Sequence, residues 1–209
     1  VVVTDAHGCT RTVTNINVPV FPALNIEVAV DKDTICEGET VHLTSNGGGG
    51  NGGPYTYTWN PVHGSVTSFN AQPDTTTLYQ VSISDGCTVI EPMAVTQVLV
   101  HPLPEIVFDP IDTAGCMPFE VPFNFTGITT ASATYQWSFG DNLTAAGVNP
   151  THIFMKDGTY DVTLTVIDQY GCTDTRTETA AVTVYPLPVA FYNTQPQYLS
   201  ILHPEVQFL

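Results

Sequence analysis

Apolar and polar residues alternate along much of this chain with the two-residue period of a β-strand that has one buried face. Tyr135, Trp137 and Phe139 share one side of an extended run whose other side carries Gln136 and Ser138, and Gly140-Asp141-Asn142 interrupts it. A second run opens at Gly158-Thr159-Tyr160, with Tyr160, Val162, Leu164 and Val166 on one face and Asp161, Thr163 and Thr165 on the other. The two runs are expected to face one core. In the N-terminal half the same alternation predicts strands over 26–30, 41–44, 55–59, 76–83 and 94–100. Trp59 and Trp137 fall at matching places, each on a third strand. Aromatic residues at period two are usually a strand's inner face, so Trp59, Tyr79, Trp137, Phe139 and Tyr160 are expected in cores, not as platforms for ligands.

The chain repeats itself. Val3-Thr4-Asp5-Ala6-His7-Gly8-Cys9 recurs as Ser84-Asp85-Gly86-Cys87 and as Val166-Ile167-Asp168-Gln169-Tyr170-Gly171-Cys172. Each copy leads into a Thr/Val-rich alternating strand and then a proline joint, at Pro22, at Pro102 and Pro104, and at Pro186 and Pro188. A period of roughly eighty residues suits one small β-sandwich. The expected division is the tail of one repeat (1–21), two complete repeats (22–101 and 102–185) and the head of another (186–209), so the chain reads as an excerpt from a longer one. Proline at each joint restricts the backbone and predicts a linear, head-to-tail array.

Composition narrows the function. Four basic residues stand against twenty carboxylates, a formal charge of −16, which repels phosphate backbones and anionic lipid and excludes nucleic acid as a partner. Direct membrane insertion is not expected, because no run of eighteen apolar residues occurs. The histidines (His7, His42, His63, His101, His152, His203) are scattered without an H-E-x-x-H pair, and no G-x-S-x-G elbow occurs, so the chain is not expected to be an enzyme. The stretch Gly47-Gly48-Gly49-Gly50-Asn51-Gly52-Gly53 lacks the Gly-Lys-Ser/Thr ending of a phosphate loop and reads as a flexible turn between the second and third strands. Asp31 and Asp33, with Glu37 and Glu39, cluster near one joint, and Asp109 and Asp112 near the next. They are weak candidate ligands for Ca²⁺, the one cofactor left open, since no D-x-D-x-D-G spacing accompanies them. The plainer reading is an acidic, solvated pole.

Trp137 to Asn142, then Asn149-Pro150-Thr151-His152, then Gly158 to Val166 and Gly171-Cys172 follow the order of a polycystic-kidney-disease (PKD) domain, which this segment closely resembles. That family's signature runs W-D-F-G-D-G, N-P-x-H-x-Y, G-x-Y-x-V-x-L-x-V and Gly-Cys; Ser138, Asn142 and Phe154 depart from it without removing a core group. Ile35 to Val41, Pro54 to Tyr57 and Thr75 to Tyr79 are similar to the immunoglobulin-like and PKD-like repeats of large surface proteins of the Bacteroidota. The resemblance implies an all-β fold of tandem immunoglobulin-like sandwiches and an architectural His152. It also implies a spacer in a secreted cell-surface filament, stalk or adhesin, exported across the outer membrane by the type IX pathway and serving adhesion or gliding. Its implied partners are neighbouring repeats of the same chain, laterally associated copies, and glycans or a substratum of unknown kind. The alternative is a set of spacer or carbohydrate-binding modules in a secreted polysaccharide-degrading enzyme, which would display a planar strip of aromatic rings. The family further implies O-linked glycans at Thr34, Thr75 and Thr113, each directly after an aspartate.

Five cysteines at equivalent places in the repeats, with no C-x-x-C, imply an oxidising extracellular setting. In an immunoglobulin-like strand order Cys36 and Cys116 fall in the turn before the second strand, and Cys87 and Cys172 in the turn between the last two. Those turns lie at opposite poles, about 20 Å apart, whereas disulfide-bonded Cα atoms lie within roughly 7 Å. This favours a bridge between repeats, Cys36 with Cys172, leaving Cys9 to a partner outside the chain. Pairing within repeats, Cys36 with Cys87 and Cys116 with Cys172, is the alternative that stays open.

Overall fold

The computed structural model describes residues 1–14, 20–61, 64–111 and 113–190, together with the backbone of Thr194–Gln195 and Gln207–Phe208, which pair antiparallel. His63, Asp112 and His203 lie outside the described residues. The chain forms two compact units, Val1–Pro102 and Leu103–Leu209, and every regular element among the described residues is a strand.

Unit 1 begins with a hairpin of β1 (Val2–Thr4) and β2 (Thr10–Thr12). Its sandwich follows as β3 (Asn25–Val30), β4 (Thr34–Cys36), β5 (Val41–Gly48), β6 (Thr56–Asn60), β7 (Ser68–Ala71), β8 (Thr77–Ser84) and β9 (Met93–His101). One sheet has the order β3-β5-β7 and the other β4-β9-β8-β6, with β4 parallel to β9 and the remaining pairs antiparallel. Alternation decides which side chains meet: Val41 and Leu43 from β5 face Val81 from β8 and Val98 from β9, all fully buried. Trp59 sits among them at 2% exposure, edge-on to Phe69 with ring centroids 4.9 Å apart, and its Nε1 donates to the Val66 carbonyl at 2.8 Å. A buried indole N–H needs a partner, and here the Val66 carbonyl, just before β7, supplies it.

Unit 2 repeats the plan with β10 (Phe108–Pro110), β11 (Ala114–Cys116), β12 (Phe119–Phe125), β13 (Thr134–Ser138), β14 (Thr144–Ala146), β15 (Thr151–Phe154), β16 (Gly158–Ile167) and β17 (Thr173–Tyr185). Its sheets run β10-β12-β15 and β11-β17-β16-β13-β14, again with the short β11 parallel to the last strand. Trp137, 1% exposed, packs edge-on against Phe108 at 5.0 Å and tilted against Phe123 at 5.5 Å, and donates to the Gly147 carbonyl at 2.9 Å. Phe139, just past β13, lies flat on His152 with centroids 4.0 Å apart. The His152 ring is in turn held by Asp141, Nε2 to Oδ2 at 2.8 Å, while Asp141 Oδ1 accepts the Leu143 amide. Histidine and aspartate therefore close the turn after β13 over the aromatic core. Tyr79 is buried, and Tyr160 is partly buried against Phe154.

The short strands β4, β7, β11 and β14 do not stand out in the alternation. Cys36 and Cys116, placed by sequence in a turn, are instead the last residues of β4 and β11, opposite His101 and Tyr185 of the final strands.

Candidate functional site

The recurring Asp-Gly-Cys turns are built by their aspartates. In the β1–β2 turn the Asp5 amide donates to the Cys9 carbonyl (3.0 Å) and the Gly8 amide to the Asp5 carbonyl (3.0 Å). Asp5 Oδ1 accepts the amides of His7 (2.9 Å) and Cys9 (3.0 Å). The β16–β17 turn is the same object: Asp168 Oδ1 accepts the amides of Tyr170 (2.8 Å) and Cys172 (2.9 Å), and the Asp168 amide donates to the Cys172 carbonyl. Gly8 and Gly171 take φ of +81° and +86°, a left-handed conformation that glycine adopts at little cost. A carboxylate that gathers the amides of so tight a turn fixes the cysteine that follows.

Asp85 does this in a shorter turn and reaches further. Its Oδ1 accepts the amides of Thr88 (2.7 Å) and Cys87 (3.0 Å), and its Oδ2 accepts the Thr88 hydroxyl (2.9 Å) and the amide of Asn51 (3.0 Å). Asn51 Nδ2 returns bonds to the Asp85 carbonyl at 3.0 Å and to Cys87 Sγ at 3.4 Å. The glycine stretch is therefore no loose turn; it is packed on this carboxylate. A Cβ on Gly50 would stand 2.2 Å from Asp85 Oδ2, and one on Gly49 2.1 Å from the Ala23 carbonyl oxygen. Only glycine lets the backbone come so near.

Amide hydrogen bonds from Thr88, Asn51 and Cys87 hold the Asp85 carboxyl far below its ordinary value, and the His42 amide lowers that of Asp31. Both groups bind protons less readily folded than unfolded, so their stabilisation is complete above the ordinary carboxyl value of 3.8 and is lost as pH falls through the lowered ones. Urea midpoints of unit 1 should hold steady above about pH 5 and fall continuously below about pH 4. Asp85→Asn should flatten that fall; an unchanged slope in the variant would count against the carboxylate.

The second class of cysteine ends a strand. Cys36 is opposite His101 at the C-terminal end of β9, its amide donating to Glu39 Oε2 at 3.1 Å, and Cys116 is opposite Tyr185 at the end of β17. Cys36 and Cys172 each take part in a disulfide, whereas Cys9, Cys87 and Cys116 are exposed free thiols. Cys87 and Cys116, the partners that Cys36 and Cys172 would need within their own repeats, are among the free thiols. Strand length is the reason. Cys87 precedes the start of β9 and Cys36 lies beside its end, so nine residues separate the two levels. At about 3.3 Å per residue that is roughly 30 Å, against the 7 Å or so a disulfide tolerates. In unit 2 the intervening strand, β17, has 13 residues and the gap is larger.

The remaining candidates do not converge. Asp31 Oδ1 accepts the amides of His42 (2.7 Å) and Lys32 (2.9 Å); the Asp33 carbonyl accepts the Leu99 amide (2.8 Å); exposed Asp109 sits in β10 opposite Asn124. Among the described residues no three His, Cys, Asp or Glu side chains gather as a metal site would require, and Asp112 is not among them. Thr34, Thr75 and Thr113 are all exposed. A shallow groove of about 240 Å³ on the five-stranded sheet of unit 2 is lined by Gln136, Trp137, Ser138, Thr144, Thr163 and Thr165. Its polar groups are hydroxyls and an amide, with neither acid nor base.

Two sheets packed over a tryptophan, with a short early strand parallel to the last, define an immunoglobulin-type β-sandwich module. Residues 99–184 match the family model of the PKD domain. A 61-residue stretch, 28% of this chain, is 38% identical to collagenase ColA of Bacillus cereus, and one of 61 residues, 29% of the chain, is 43% identical to the pre-pro-metalloprotease PrtV of Vibrio cholerae. The match spans only 6% of the collagenase and 7% of the metalloprotease. The crystal structure of the PKD1 domain of Vibrio cholerae PrtV aligns with 30% identity and a TM-score of 0.32, over 39% of this chain and 98% of that one.

Proposed function

We propose that this chain is a non-catalytic, extracellular spacer: repeat modules of a secreted cell-surface filament, stalk or adhesin, tied to one another by a bridge between Cys36 and Cys172. The observation that carries this reading is the state of the five sulfurs. One cysteine of each structural class is bonded, and the partners that each would need within its own repeat, Cys87 and Cys116, are free. Disulfides persist in oxidising compartments, which supports a working place outside the cytosol. The PKD match over residues 99–184 supports a module of architectural type. Adhesion or gliding, export by the type IX pathway and an origin in the Bacteroidota extend the reading along the resemblance of the repeats. Its partners are neighbouring repeats, with lateral association of copies and O-glycans at Thr34, Thr75 and Thr113 as further features. Cys9 takes a partner outside the chain.

Peptide mapping by mass spectrometry without reduction tests the bridge. A linked pair of peptides carrying Cys36 and Cys172 is expected; one carrying Cys36 and Cys87 overturns it. A second reading, spacer or binding modules of a secreted enzyme, is favoured by the enzymes among the relatives. Retention of the 209-residue chain on insoluble collagen or on an insoluble polysaccharide would support that reading over the first.

A further inference from the structure

The cysteines fall into two structural classes, and each class has a bonded and a free member. Cys36 and Cys116 both end a three-residue strand that runs parallel to the last strand of its sandwich, opposite His101 and Tyr185. Cys9, Cys87 and Cys172 all follow an aspartate whose Oδ1 accepts the cysteine's own amide, at 3.0, 3.0 and 2.9 Å. One member of each class, Cys36 and Cys172, is disulfide-bonded, and the free thiols Cys116, Cys87 and Cys9 represent both. Cys87 is further aimed by the Asn51 side-chain amide, which donates to its sulfur. The free thiols are thus not stray surface cysteines: each occupies a position that is bonded in the equivalent place of the same molecule.

We infer that pairing follows class, so that Cys116 is the acceptor for an Asp-x-x-Gly-Cys or Asp-Gly-Cys turn of a further sandwich, and Cys87 for a strand-end cysteine of another. This rests on the proposed Cys36–Cys172 bridge. The rule makes two copies of this chain competent to join end to end, Cys116 of one to Cys87 of the other. In that step one S–S bond forms and two S–H bonds break. The two electrons and two protons pass to a small-molecule disulfide such as oxidised glutathione, whose own S–S bond is cleaved to two thiols.

The test uses the 209-residue protein carrying Cys9→Ser, which leaves one free thiol of each class. After incubation in a glutathione redox buffer, separation without reduction and peptide mapping, disulfide-linked multimers are expected. Their mixed Cys116–Cys87 peptide should exceed the symmetric Cys87–Cys87 and Cys116–Cys116 peptides by at least about tenfold, against the equal totals that random collision of two thiols gives. Adding Cys116→Ser or Cys87→Ser should stop growth beyond dimer. Multimers dominated by symmetric peptides, or no multimers at all, overturn the rule. The monomer band of the same gel reports separately on the reading beneath it: a monomer without the Cys36–Cys172 peptide removes that reading, whereas its presence beside symmetric multimers removes only the pairing rule.

Discussion

Trp137→Ala is expected to cost unit 2 about 3–5 kcal/mol, the range for deleting a large aromatic side chain from a core. The ring is 1% exposed and touches Phe108 and Phe123 from the facing sheet, so its removal opens a void bounded by both sheets. It also removes the hydrogen bond that Nε1 donates to the Gly147 carbonyl. Domains of this size are stable by only about 5–15 kcal/mol, so the variant should unfold at far lower urea. The chain has two tryptophans, so in this variant tryptophan emission comes from Trp59 alone and follows unit 1, while circular dichroism follows both units. Trp137→Phe keeps most of the buried area and loses the hydrogen bond, and should cost much less. Equal midpoints for wild type and Trp137→Ala would contradict the assignment of this ring as the centre of the core.

Gly50→Ala is expected to damage unit 1 well beyond the strain of placing a side chain at positive φ. Gly50 has φ of +56°, which costs an alanine about 1–2 kcal/mol. Its Cβ would also lie 2.2 Å from Asp85 Oδ2 and 3.1 Å from Leu24 Cδ1. Either the loop withdraws and the Asn51 amide loses its acceptor, or the carboxylate turns away from the amides of Cys87 and Thr88. Gly52→Ala is the control, since Gly52 has φ of +89° but nothing within 4 Å of its Cβ position. Urea midpoints should fall far more for Gly50→Ala than for Gly52→Ala. Similar losses would mean that the close packing on Asp85 contributes nothing.

Which of these features could be read from sequence depended on the range of the interaction. Strands such as β8 and β16, with eight and ten residues, carry enough alternation to declare an inner face, and their core positions follow from it. Thr34–Cys36 and Ala114–Cys116 are too short to show any period; they exist because the last strand of each sandwich offers them a ladder. The first half of β17, Thr173 to Thr179, alternates polar with polar, so its pairing with β16 is written in cross-strand bonds such as Thr163 to Thr177 and Thr165 to Thr175. The glycine stretch reads as a loose turn for a related reason. Its local chemistry says only that the chain turns, and the carboxylate that demands those glycines stands 34 residues past Asn51. The separation of a strand's two ends is more accessible, since the rise per residue sets it.

The parallel pairing of β4 with β9 and of β11 with β17 has a mechanical consequence. A force applied to the two ends of either unit draws the short early strand one way and the last strand the other, sliding them along their common axis. The bonds between them, Leu99 amide to Asp33 carbonyl and Glu37 amide to His101 carbonyl in unit 1, Thr183 to Thr113 and Met117 to Tyr185 in unit 2, lie across that axis. They are loaded in shear and must rupture together, whereas strands peeled apart from one end would release their bonds one at a time.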